Sequence, residues 1–195
     1  MTEPVGKMTE PVVTIFGSSA IDPAGPAYQT AYDLGRRIAL AGWKLCNGGY
    51  GGTMEAACKG ACEAGGQTIG VTCKAFNRPA ANRFVRQEIS TPSLMARLDK
   101  LVHLGDAFLV LPGGTGTLLE LALVWELLNK RLIGRQTPLI LLGDFWTPLI
   151  PLILAEQPEA LRPQVAPTVE AAVALLAAHF EGRASTPDAR PSSAT

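Results

Sequence analysis

Between Pro112 and Glu120 the chain reads Pro-Gly-Gly-Thr-Gly-Thr-Leu-Leu-Glu. Gly113, Gly114, Thr115, Gly116 and Thr117 carry no bulky side chain, so a ligand can approach the backbone there. Ahead of them stands the short apolar run Ala107–Leu111. Behind them, Leu118 to Lys130 has helical composition without Gly or Pro. A strand that turns through glycines into a helix presents free N–H groups at the positive end of the helix dipole, a place that receives anions and above all phosphate. Glu120 follows one turn into that helix. A phosphate cradle with a carboxylate beside it points to chemistry on a phosphorylated molecule.

The elements that must position this stretch can be read from the same pattern. Val12–Phe16, Trp43–Cys46, Gln67–Thr72, Ala107–Leu111 and Thr137–Leu142 are short and apolar or β-branched, as in strands buried on both faces. Helical composition covers residues 27–41, 53–64, 93–104, 118–130, 146–155 and 168–180, and the stretch from Cys73 to Glu88 is less regular. The alternation predicts a single-domain α/β fold over residues 12–183, a doubly wound, mainly parallel sheet with helices on both faces. Residues 1–11 read as an arm, and 184–195 as a disordered Ser/Pro/Ala-rich tail. Two further small-residue loops follow strands: Gly17-Ser18-Ser19, and Asn47-Gly48-Gly49-Tyr50-Gly51-Gly52-Thr53-Met54. All three loops therefore fall at the carboxyl edge of the sheet, where doubly wound folds bind ligands.

Several functions are disfavoured by inspection. Neither later loop contains the lysine of a Walker loop, and the first strand lacks the Gly-x-Gly-x-x-Gly of dinucleotide enzymes. Net charge is zero and no basic tract occurs, which argues against a nucleic-acid polymer as partner. Only His103 and His179 are present, neither in a glycine loop, so a His-based triad or metal centre is not expected. Cys46, Cys58, Cys62 and Cys73 form no zinc set and fit a reducing cytoplasm. No metal and no cofactor is expected. No run of apolar residues is long enough to span a membrane, and the start has no signal-peptide pattern. Charged residues are 17% of the chain, few enough to hint at a surface covered by another subunit.

Pro112–Glu120 resembles the Pro-Gly-Gly-x-Gly-Thr-x-x-Glu motif of the LOG family, the cytokinin riboside 5′-monophosphate phosphoribohydrolases. The similarity runs from Val13-Thr-Ile-Phe-Gly-Ser-Ser19 through Asn47–Met54 and Gly66–Val71 to about Lys130. It implies a Rossmann-like fold, a homodimer, and hydrolysis of an AMP-like nucleoside 5′-monophosphate to free base and ribose 5-phosphate. It also implies a second catalytic residue, the arginine of a Met-His-x-Arg-Lys segment, which falls on Arg97. The neighbours depart from that segment, being Leu94, Met95 and Leu98, and the second glycine loop departs at Tyr50 and Glu55.

Cleavage of an N-glycosidic bond develops positive charge on the ribose, which a carboxylate can stabilise. Glu120 fits that task, with Arg97 on the phosphate or the leaving base. Thr117-x-x-Glu120 also reads as a capping box, in which Glu120 merely closes the helix start. A different class of function stays open on the same loops: a carrier that binds a nucleotide or a molybdenum cofactor without cleaving it.

Overall fold

The first strand alternates its apolar residues between two cores. Val13 and Ile15 point to one, Phe16 to the other, and Ala107, Leu109 and Leu111 alternate likewise with Phe108 and Val110. Such two-sided burial requires helices on both faces, and the computed structural model has them. It describes residues 10–77, 80–134 and 136–184. The chain runs β1 Val12–Phe16, α1 Pro26–Leu40, β2 Lys44–Asn47, α2 Thr53–Glu63, β3 Thr68–Cys73, β4 Gln87–Thr91, α3 Leu94–Leu104, β5 Ala107–Val110, α4 Thr115–Asn129, β6 Leu139–Leu142, α5 Leu149–Glu156, β7 Gln164–Ala166 and α6 Val169–Ala184.

The seven strands form one sheet in the order β4-β3-β2-β1-β5-β6-β7. Every pairing is parallel, as the doubly wound reading expects. Helices α1, α2 and α6 pack on one face around Leu34, Ile38, Ala57 and Leu176. Helices α3 and α4 pack on the other around Leu101, Val102, Leu121 and Trp125, with α5 beside them. The chain builds outward from β1 to β4 and then returns to place β5 against β1. That reversal brings Gly17–Ser18 and Pro112–Gly114 together outside the carboxyl ends of β1 and β5, where doubly wound folds bind ligands.

Glycines set the packing of α1 on α2. A Cβ on Gly35 would lie 1.9 Å from the Ala57 carbonyl oxygen, and one on Gly60 would lie 2.0 Å from that of Tyr32. The two backbones touch through these bare positions.

Three features differ from the sequence expectation. Strands β4 and β7 were unread, because Gln87–Thr91 is mostly exposed and Gln164–Ala166 is three residues long with two of them exposed. These are edge strands, where the two-sided apolar run does not apply. Helix α4 begins at Thr115 rather than Leu118, so Gly116 and Thr117 lie within its first turn. Helix α5 begins at Leu149 rather than Trp146. Trp146 belongs instead to the turn before it, where its indole N–H donates to the Leu111 carbonyl (2.9 Å). The expected arm and tail fall outside the described residues except at positions 10, 11 and 184. Among the described residues, no helix is long and apolar enough to cross a membrane.

Candidate functional site

The three loops are bound to one another. The Ser18 N–H donates to the Pro112 carbonyl (3.3 Å), and the Ser18 carbonyl accepts from both the N–H and the hydroxyl of Thr53 (2.9 Å each). The bare positions that permit this are specific. A Cβ on Gly17 would stand 2.6 Å from Thr53 Oγ1, and one on Gly113 would stand 2.2 Å from Thr117 Oγ1. Gly52 combines a left-handed φ of +67° with a Cβ position 2.4 Å from the Ser18 carbonyl, so no other residue fits there. Gly49 is also left-handed, and its N–H is held by Asn47 Oδ1 at 2.8 Å.

Gly114 and Gly116 are of another kind. Neither has a positive φ, and a Cβ on either would meet nothing within 4 Å. Gly51 is nearly as open, with one atom at 3.8 Å. Gly114 is the N-cap of α4 and supplies no side-chain cap, while Thr115 and Gly116 are exposed. A helix leaves its first N–H groups without intrahelical partners. Glycine inside a helix costs about 1 kcal/mol relative to alanine. Packing explains neither glycine.

Arg97 and Glu120 meet on the α3–α4 side of the sheet. Ser93 caps α3, its Oγ accepting from the Ala96 N–H (3.2 Å), which starts the helix so that Arg97 falls in the first turn. Only 6% of Arg97 and 8% of Glu120 is exposed. Arg97 Nη1 donates to Glu120 Oε1 at 3.0 Å, and Nε donates to the Val71 carbonyl at 2.9 Å. The guanidinium stands beside the packed rings of Tyr50 and Phe76, 5.9 and 5.8 Å from centroids that are themselves 6.1 Å apart. The Tyr50 hydroxyl accepts from the Cys73 N–H (2.8 Å), and Asn82 Nδ2 donates to the carbonyls of Gly49 and Tyr50. Burial raises the Glu120 carboxyl above the ordinary carboxylate range, and the charge and hydrogen bond of Arg97 oppose that rise. The capping-box alternative does not hold: Gly114 is the N-cap, and the Glu120 side chain bonds to Arg97.

Gly48 and Met54 belong with this pair. Both lie against Arg97 or its neighbour, since a Cβ on Gly48 would sit 1.8 Å from Arg97 Nη2 and 2.8 Å from Met54 Sδ. Tyr50, Phe76 and Asn82 went unread as site residues. Tyr50 stood in the glycine loop without an evident role, and the other two lie in the irregular stretch before β4.

A cleft of about 860 Å³ opens on the opposite, α1–α6 side of the same loops. Ser18, Thr53 and Gly113 line its loop end, and Asp33, Phe145 and Glu170 line its far part. Arg97 and Glu120 do not reach it. Of the remaining sequence-read arginines, Arg83 and Arg86 are exposed, and Arg78 lies outside the described residues. Among the described residues no cluster of His, Cys, Asp and Glu is arranged to hold a metal ion.

Residues 10–160 match the model of the SLOG cluster4 family. The chain belongs to that family. Within the wider LOG-like group, it is 34% identical over 120 residues to a cytokinin riboside 5′-monophosphate phosphoribohydrolase of Mycobacterium tuberculosis, covering 60% of this chain and 63% of that one. It is 32% identical over 148 residues to the protein of the same name from Rhodococcoides fascians, covering 72% and 73%. Among solved structures, it is similar to the molybdenum cofactor binding protein of Rippkaea orientalis. That match has a TM-score of 0.70 and 31% identity, and covers 89% of this chain and 99% of the other. The SLOG-type kinship and the Rossmann-like fold agree with the resemblance carried by Pro112–Glu120.

Proposed function

We propose that the protein binds an AMP-like nucleoside 5′-monophosphate and hydrolyses its N-glycosidic bond, releasing free base and ribose 5-phosphate. The observation that carries this reading is the buried Arg97–Glu120 pair, set one turn beyond an open, uncapped helix start. The phosphate rests on the N–H groups of Gly114–Thr117, at the end of the helix that Ser18 and Thr53 help to fix in place. Glu120 faces the ribose. As the C1′–N bond breaks, its electron pair leaves with the base, which takes up a proton. Positive charge gathers on the ribose ring, and the carboxylate stabilises it while water adds at C1′. Arg97 fixes Glu120 and offers its remaining N–H groups to the anion or the departing base. The names of the mycobacterial and Rhodococcoides relatives support this reaction class.

A homodimer fits the exposed apolar residues Leu94, Met95, Leu118 and Leu119 at the starts of α3 and α4. Four free cysteines accord with the cytoplasm as its compartment.

The second reading, a carrier that binds without cleaving, is favoured by one observation: a cleft of about 860 Å³ at the loop edge is not lined by Arg97 or Glu120. Incubation with a panel of nucleoside monophosphates, followed for free base and ribose 5-phosphate, separates the two. Release of base supports hydrolysis. Tight binding without release sustains the carrier.

A further inference from the structure

We infer that Asn82 is a positioning residue for the Arg97–Glu120 pair, acting on Arg97 through the second glycine loop. The proposal rests on the catalytic reading of that pair for its kinetic arm, and on geometry alone for the other.

Asn82 reaches the loop from the irregular stretch before β4. Its backbone N–H donates to the Gly49 carbonyl (2.7 Å), and its Nδ2 donates to the carbonyls of Gly49 and Tyr50 (3.0 and 2.9 Å). Oδ1 accepts from the Phe84 N–H at 3.1 Å. The amide is used at both ends, so only one orientation satisfies it, nitrogen toward the loop. On the other side stands Asn47, fully buried. Its Oδ1 accepts the Gly49 N–H (2.8 Å), and its Nδ2 donates to the Met54 carbonyl (3.0 Å). The left-handed turn at Gly49, with φ of +76°, is thus held between two asparagine side chains.

The residues on either side of that turn are the ones that meet Arg97. A Cβ on Gly48 would lie 1.8 Å from Arg97 Nη2, and the Tyr50 ring stands 5.9 Å from the guanidinium. A shift of the Gly49 and Tyr50 carbonyls therefore moves both neighbours of Arg97, and with Arg97 goes Glu120, bonded to its Nη1 at 3.0 Å. Asn82 has its own footing outside the loop. The Val85 N–H donates to the Asn82 carbonyl (3.0 Å), while Thr68 Oγ1 donates to the Phe84 carbonyl (2.7 Å) and accepts from the Arg86 N–H (2.9 Å). Thr68 opens β3, the strand whose Val71 carbonyl receives Arg97 Nε at 2.9 Å. One strand therefore holds Arg97 twice, directly at Val71 and indirectly through Asn82 and the glycine loop.

The test is Asn82→Ala in the full chain, with Asn82→Asp beside it near neutral pH. Asp keeps the shape and the acceptor for the Phe84 N–H, and lacks only the donor nitrogen. Solvent exchange of the Arg97 Nε–H is followed by heteronuclear NMR, together with that of the Val71 and Thr72 backbone amides. The Arg97 signal is expected to exchange about tenfold faster in both variants, the scale of the two lost hydrogen bonds, while the strand amides keep their parent rates. The kcat for base release from AMP should fall by about tenfold to 100-fold, the scale of a misplaced group. Affinity for ribose 5-phosphate should stay unchanged, because the Gly114–Thr117 N–H groups are untouched. An Nε–H that stays protected in a folded variant, or one that quickens in step with Val71 and Thr72, overturns the positioning role. Unchanged kcat beside faster Nε–H exchange overturns it as well. A parent that releases no base overturns hydrolysis instead, and a selectively faster Arg97 Nε–H in the variants then still supports the hold of Asn82 on Arg97.

Discussion

Arg97 Nη2 occupies the space that a side chain on Gly48 would take: a Cβ there would lie 1.8 Å from it and 3.0 Å from Cζ. The guanidinium cannot step aside freely. It is held by the Val71 carbonyl and by Glu120, with the rings of Tyr50 and Phe76 beside it. Gly48 is therefore a condition for the Arg97–Glu120 pair. Gly48→Ala should push Arg97 off Glu120. Base release should fall by at least about 100-fold, the scale for losing one charge-stabilising group, while overpacking costs about 1–3 kcal/mol of stability. Steady-state kinetics and urea midpoints on the same preparation check both.

The pair itself can be separated from the fold it sits in. Arg97→Ala alone strands a buried carboxylate and should cost about 3–5 kcal/mol, which would confuse loss of activity with loss of structure. Replacing both partners with apolar residues of similar volume, Arg97→Met with Glu120→Leu, should leave stability within about 1–2 kcal/mol of the parent, or raise it. The same double variant should release no base. A folded double variant that still turns over contradicts a catalytic role for the pair.

How much of this was legible beforehand follows from which interactions are local. The central strands could be read because Val13, Ile15, Phe108 and Leu109 are buried on a two-sided sheet, which writes itself as an apolar run. The edge strands β4 and β7 lack that burial and so lack the signature. The three loops could be read from glycine density. What each glycine does could not: Gly48 answers to Arg97, 49 residues on, and Gly35 answers to the backbone of a different helix. Arg97 illustrates the same limit. On the sequence it was one arginine of a helix, marked by the family motif alone, and its partners Val71, Glu120, Tyr50 and Phe76 come from four separate segments.

Gly114 and Gly116 set up a trade between stability and binding. Both lie at the start of α4 with ordinary φ and no neighbour within 4 Å of a Cβ. Gly116→Ala should stabilise the protein by about 0.4–1 kcal/mol, because alanine restricts the unfolded chain and suits a helix. If the N–H groups there receive a phosphate, the added methyl groups stand in the path of the ligand. Affinity for ribose 5-phosphate should drop in Gly116→Ala and in Gly114→Ala even as the Gly116→Ala melting temperature rises. A variant that gains stability and keeps full affinity removes the access argument for that glycine.

The pH dependence of folding provides a test of the Glu120 environment that does not depend on the substrate. Burial raises the folded-state pKa of Glu120 above its ordinary value of 4.5, with Arg97 pulling against the rise. The native state then binds the proton more tightly than the unfolded chain. The stabilisation this brings is fully present below the unfolded pKa and is lost as pH rises through the folded one. Glu120→Gln has no proton to lose there. Urea midpoints measured for both proteins between about pH 4 and pH 8 should therefore show the parent losing stability relative to the variant as pH rises through that window. Base release should move oppositely, rising with pH through the same folded pKa, since only the ionised carboxylate stabilises a cationic ribose. A stability gap that widens in the parent's favour with rising pH would mean that Arg97, rather than burial, sets the ionisation of Glu120.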